Sequence, residues 1–121
     1  MKTGVIILGH GSKAEKSNRE FLEFSQEVSE SLEYEFGAGA FLQFADPRVD
    51  EVAAEAVEAG VEKIVIMPLF LFPGNHVQKD IPRAIDRLKE EYPEIEFVYA
   101  NYVGGDDRLA AIVADRVKEV I

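Results

Sequence analysis

Only two imidazoles occur in the 121 residues, and each follows a short apolar run at a glycine-marked turn. His10 stands in Gly9-His10-Gly11-Ser12, directly after Gly4-Val5-Ile6-Ile7-Leu8. His76 closes the loop Pro68-Leu69-Phe70-Leu71-Phe72-Pro73-Gly74-Asn75-His76, which follows Lys63-Ile64-Val65-Ile66-Met67. Imidazole ligates cobalt, nickel, iron and zinc, and with an unperturbed pKa of about 6.5 it also accepts a proton near neutrality. The chain has no cysteine, which excludes thiolate nucleophiles, disulfides, zinc fingers and iron–sulfur clusters. A closed structural zinc site wants four protein ligands, so two histidines imply open coordination, suited to a metal in transit.

Other uses of the same residues fit less well. Gly9-His10-Gly11-Ser12 is able to form a nest of backbone donors for an anion. It lacks the Gly-Lys-Ser/Thr of a phosphate loop and the Gly-x-Ser-x-Gly of a nucleophile elbow. A phosphohistidine enzyme would carry an arginine just before the histidine, where this chain has Gly9.

Positive charge is scarce and gathers near these loops. Lys13, Lys16 and Arg19 follow His10, Arg48 follows Asp46-Pro47, and Lys79 and Arg83 follow His76. The first turn of a helix favours acidic residues, so cations there suit a polycarboxylate ligand, with Arg48 and Arg83 the best placed for bidentate contacts. Leu69 and Leu71 read as the continuation of a buried strand, leaving Phe70 or Phe72 as an aromatic wall. A flat apolar ligand with acidic edges would suit this combination, which suggests a tetrapyrrole.

The elements that must position these residues follow from period. Gly4–Leu8, Ala40–Phe44, Lys63–Met67 and Glu96–Tyr99 read as strands, the first and third with the unbroken apolar signature of strands buried on both faces. Between them, Phe21, Phe24, Val28 and Leu32 recur at helical spacing from Glu15 to about Phe36, with Gly37 and Gly39 as stop signals. Val49, Val52, Ala53, Ala56 and Val57 do the same up to Gly60. Pro82 belongs in a first turn, so the third helix is expected to begin near Asp80 and to carry Ile81, Ala84, Ile85, Leu88 and Tyr92. Asp106 or Asp107 caps a last helix with an apolar face of Leu109, Ile112, Val113, Val117 and Val120. The order βαβαβαβα predicts an α/β fold, a single three-layer domain over residues 1–121 with a four-stranded parallel sheet flanked by helices. Sites in such folds lie beyond the carboxyl ends of the strands, here in loops 9–14, 45–48, 68–80 and 100–107. If the first and third strands are neighbours, the two histidines come within reach of one ligand.

Composition bounds the rest. A formal charge of −10 repels a phosphate backbone, and no basic stripe offsets it, so no nucleic-acid partner is expected. The apolar start is too short for a signal-peptide core or a membrane span, so neither is expected and a cytoplasmic address is.

With these residues in view, the sequence resembles the small class II chelatases, the sirohydrochlorin cobalt and nickel chelatases, which are also similar to the amino-terminal half of longer cobalt and iron chelatases. The likeness spans nearly the whole chain. It is carried by VIILGHGS with His10, FADP with Asp46, IVIMPLFLFPGNHVQKDIP with His76 and Asp80, and GGDDRL near the end. Many relatives have Glu where Asp46 stands and a more apolar residue where Asn75 stands, and the His-rich insert of some relatives is missing. The resemblance implies ATP-independent insertion of a divalent metal (Co2+, Ni2+ or Fe2+) into sirohydrochlorin by a homodimer, with no organic cofactor. Positions His10 and His76 would bind the metal and assist its insertion. Ser12, Lys13, Asp46, Arg48, Phe70, Phe72, Gly74, Asn75, Lys79 and Arg83 would hold the macrocycle. Three rivals remain: an iron chelatase serving siroheme, a metal or tetrapyrrole carrier without turnover, and a phosphoryl-transfer enzyme using His10.

Overall fold

The computed structural model describes residues 1–121 with the exception of the side chain of His76. Its elements are β1 (Thr3–Gly9), α1 (Glu15–Leu32), β2 (Phe36–Phe41), α2 (Val49–Glu58), β3 (Lys63–Pro68), α3 (Asn75–Glu91), β4 (Glu96–Tyr99) and α4 (Asp107–Lys118). The strands form one parallel sheet in the order β2-β1-β3-β4. The fold is therefore the α/β arrangement expected, and β1 and β3 are neighbours, with Leu8 opposite Pro68.

Alternation along the strands splits the apolar residues between two faces. Ile6, Leu8, Ala40, Ile64, Ile66 and Phe97 pack with Val49, Val52, Ala53 and Ala56 of α2 and with Ile81, Ile85 and Leu88 of α3 in one buried cluster. The opposite face is served by α1. Phe21 stacks on Phe41 with ring centroids 5.0 Å apart, and Val5 and Ile7 are buried there.

Four elements, α1, β2, α3 and α4, differ from the sequence reading. The second strand runs Phe36–Phe41 rather than Ala40–Phe44, and α1 stops at Leu32, with Glu33 in the left-handed conformation (φ 57°). Gly37 and Gly39 do not end a helix. They lie inside β2, where a Cβ would sit 2.7 Å from Ser29 Cβ or Ser25 Oγ. Both serine hydroxyls bond back to their own helix, Ser25 to Phe21 O and Ser29 to Ser25 O, each at 2.8 Å, so α1 and β2 approach closely without an unpaired polar group. The third helix begins at Asn75 rather than near Asp80, placing residue 76 in its first turn and Pro82 within it. Proline there deprives Gln78 O of its helical donor, but Gln78 and Pro82 are exposed and water can replace it.

The apolar face of α4 is the last difference. Leu109 is half-buried, but every residue after it is exposed, including Ile112, Val113, Val117 and Val120. The expected core face of this helix is not part of the core.

Candidate active site

The carboxyl edge of the sheet is built outward from β1. His10 is the first residue beyond the strand, half-buried, and its backbone is tied sideways to the segment after β2. Leu42 N–H donates to Gly9 O at 2.8 Å and Gln43 N–H to His10 O at 2.9 Å. Gly11 adopts φ 96°, and a Cβ on it would collide with Gln43 O, so only glycine allows the chain to turn here.

The His10 ring faces Phe44, centroids 5.7 Å apart and tilted by 48°. Phe44 holds a left-handed backbone (φ 66°) and is 53 % exposed. The run Ala40–Phe44 predicts that it closes a strand; β2 ends at Phe41 instead. The proximity of Phe44 to a histidine follows from the two hydrogen bonds that carry the β1–β2 pairing on past Phe41.

In the loop after His10, part of the donor set is already occupied. Ser12 N–H donates to Asn18 Oδ1 at 3.0 Å, and Asn18 Nδ2 donates to Ser12 O at 2.7 Å. Ser12 Oγ accepts from Ala14 N–H at 3.0 Å. These bonds fix the loop to α1 and occupy the Ser12 amide, one of the donors that the nest reading needs. Lys13 is exposed beside a cleft of about 440 Å³ that Ser12, Phe44 and Asp46 also line.

Arg48 folds back on its own loop. Its Nε donates to Ala45 O at 3.1 Å and lies 4.0 Å from Asp46 Oδ1. The pair is solvent-exposed, so it holds the loop loosely.

Beyond β3, Leu69 N–H donates to Leu8 O at 2.8 Å, which continues the β1–β3 pairing past Pro68. The buried-strand reading fails at Leu71, which is 53 % exposed, as Phe72 is at 78 %. Val103 N–H bonds Phe70 O at 3.0 Å, and this crossing from the β4–α4 loop ends the strand-like run. Phe70 packs partly against the core, leaving Phe72 as the open aromatic. Leu71, Phe72, Leu109 and Val113 line an apolar cleft of about 410 Å³.

Gly74 caps α3, and Asn75 and Lys79 in its first turns are exposed, as is Arg83 further along. His76 was the second expected metal ligand; its side chain lies outside the described residues. Neither Lys13, Lys79 nor Arg83 makes an ion pair among the described residues. At the fourth loop Asp106 caps α4, accepting from Arg108 N–H at 2.8 Å. Two bonds from the Arg108 guanidinium join that one and hold the Asp106 carboxyl down at about 2.

The edge thus gathers the His10 imidazole, the open rings of Phe44 and Phe72 and, unpaired among the described residues, Lys13 on the first loop with Lys79 and Arg83 along α3. Among the described residues no three His, Asp or Glu side chains converge as a metal-ligating group, and no helix is long and apolar enough to cross a membrane.

Comparison with known proteins agrees with this geometry. Residues 4–120 match the family model described as CbiX. A sirohydrochlorin cobaltochelatase of Methanopyrus kandleri is 32% identical, covering 97% of this chain and 96% of that protein. A sirohydrochlorin ferrochelatase of Priestia megaterium is 29% identical over 95% of this chain but only 43% of its own length. Among solved structures, a CbiX protein of Marinobacter aquaeolei VT8 superposes with a TM-score of 0.85 at 33% identity, over 97% of this chain and 95% of that one. The sirohydrochlorin chelatase SirB of Bacillus subtilis subspecies spizizenii, in complex with cobalt, gives 0.94 at 28% identity over 99% of this chain and 51% of its own.

Proposed function

The chain belongs to the CbiX family, and from that membership we propose that it is a sirohydrochlorin chelatase, inserting a divalent metal with cobalt as the first candidate and nickel next. The single observation that carries the reading is the imidazole of His10, held just beyond β1, the strand next to β3, with Phe44 against it. The relatives matched over nearly their whole length, in Methanopyrus kandleri and Methanococcus maripaludis, carry the cobaltochelatase name. That favours cobalt over the ferrochelatase alternative, whose bearers are matched over about half their length.

Insertion exchanges two pyrrole N–H protons for one metal ion, and the metal is substrate rather than resident cofactor. His10, together with His76, would hold the incoming ion and take up protons near neutral pH. Phe72, with Phe70 behind it, Gly74 and Asn75 would border the ring. Lys13, Arg48, Lys79 and Arg83, with Ser12 and Asp46 nearby, would meet its carboxylates. Neither ATP nor an organic cofactor enters this chemistry.

A homodimer completes the proposal. The exposed Ile112, Val113 and Val117 of α4, with Val120 just beyond it, and the apolar cleft that Val113 borders favour a second copy under a two-fold axis, which would give a flat macrocycle its second wall.

The test is anaerobic metal insertion with substoichiometric protein, comparing initial rates for cobalt, nickel and ferrous iron. Multiple turnovers support a chelatase, and uptake that stops at one equivalent would make it a carrier. His10→Ala and His76→Ala should each lower turnover about 100- to 10,000-fold with the fold intact by circular dichroism. Near wild-type turnover at pH 7 in either variant removes the two-histidine site.

A further inference from the structure

We propose that Arg83 and Arg87 of α3 form a carboxylate clamp for one edge of a polyacidic tetrapyrrole, with Arg87 the residue that distinguishes such a ring from less acidic ones. This rests on the chelatase reading of the same edge and adds a residue to which that reading gives no role.

Positions 76, 80, 83 and 87 are separated by four, three and four residues, so they share one face of α3. Arg83 and Arg87, with Asp80, Asp86, Leu42 and Gln43, line an open cleft of about 510 Å³. Its far wall hangs from the histidine loop, because the main chains of Leu42 and Gln43 are the ones bonded to Gly9 O and His10 O. Arg87 also borders the adjoining hollow of about 270 Å³ together with Arg48.

Arg48, Arg108 and Arg116 each have a carboxylate partner. Arg83 and Arg87 have none among the described residues, although Asp80 and Asp86 border the same cleft and Asp50 and Glu91 the next. Their guanidinium donors are left for a ligand. At a rise of about 1.5 Å per residue they are stepped by roughly 6 Å along the helix, a spacing for two neighbouring carboxylates rather than one. In a chain of charge −10, a polyanion has few other places to settle.

The experiment titrates two probes, an octacarboxylate porphyrin (uroporphyrin) and a dicarboxylate porphyrin, by absorbance with wild type, Arg83→Ala, Arg87→Ala and Arg87→Lys. Cobalt insertion into sirohydrochlorin is measured on the same samples. Both arginines are exposed, so the fold should survive, and thermal melts check that it does. Expected for Arg87→Ala is about a three- to tenfold weaker octacarboxylate affinity with a flatter salt dependence. The dicarboxylate ring should bind as before, and Arg87→Lys should recover only part because it lacks the planar fork. In turnover, KM should rise by the same factor at unchanged kcat. Equal losses for both rings, an unchanged affinity and salt slope in Arg87→Ala, or no octacarboxylate binding by wild type overturns the clamp. Wild type that binds the ring as expected but inserts no metal would remove the chelatase reading and leave the clamp to the titrations. Normal insertion with an unaffected Arg87→Ala removes the clamp alone.

Discussion

On one face of the sheet, α2 and α3 press Val52, Ala56, Ile81 and Leu88 into the even-numbered residues of β1 and β3, and Ile64 and Ile66 have no exposed surface. On the other, α1 covers only β1 and β2. The β3–β4 half is left to Val65, Met67 and Val98, all half-buried, with α4 offering its apolar side chains to solvent. The same amphipathic spacing produced both outcomes, so a helix's apolar face predicts that it will be covered but not by what. The first face holds the domain together, whereas the second is available for assembly, and substitutions should separate the two.

The largest effect is expected on the packed face. Ile64→Ala should cost about 2–5 kcal/mol in urea unfolding, because the void cannot collapse between two layers. Next comes the close approach of α1 and β2. Gly39→Ala adds a methyl 2.7 Å from Ser25 Oγ and should cost about 1–3 kcal/mol, read as a shift in the same urea midpoint; an unchanged midpoint would mean that α1 lifts freely. On the open face, Val117→Asp should change the unfolding free energy of the monomer by no more than about 0.5 kcal/mol. In sedimentation it should nonetheless shift the proposed wild-type dimer to monomer. A large loss of monomer stability would show that α4 belongs to the core after all.

The smallest effect is a titration. The Asp106 carboxyl is lowered in the folded chain, so its capping contribution to α4 is complete above the ordinary carboxyl range, near pH 4. It is lost as pH falls through about 2. Carbon-detected NMR of the Asp106 carboxyl should show that midpoint, and Arg108→Ala should return it toward the usual value.

How legible the chain was depends on where its structural information sits. β1, β3 and β4 announce themselves by apolar runs, and β4 was bounded correctly at Glu96–Tyr99. β2, with the sequence FGAGAF, places glycines where a breaker is normally read. The counter-signal was non-local, Ser25 and Ser29 one helical turn apart opposite Gly37 and Gly39 two residues apart. At α3 the missed turns follow from treating Pro82 as an N-terminal marker, when an exposed helix surface tolerates it. Within the site, His10, Arg48 and Phe72 were legible as loop residues beyond strands. Phe44 beside His10, and the Asn18 clamp that uses up the Ser12 amide, arise from contacts between segments that no local pattern records.

One consequence of α4 concerns how it comes to be folded. It has 12 residues, the length below which an isolated helix is marginal in water, since nucleation is costly and few backbone bonds offset it. With no neighbour beneath its apolar side chains, it has little besides its Asp106 cap and the Arg116–Glu119 pair at 2.8 Å to hold its last turns. In the proposed dimer its helicity would then be governed by mass action. In dilute solution the segment after Leu109 would fray before the other elements, and where two copies meet, ordering and association would proceed as one coupled step. On that proposal the final turns of this protein would be a property of its concentration.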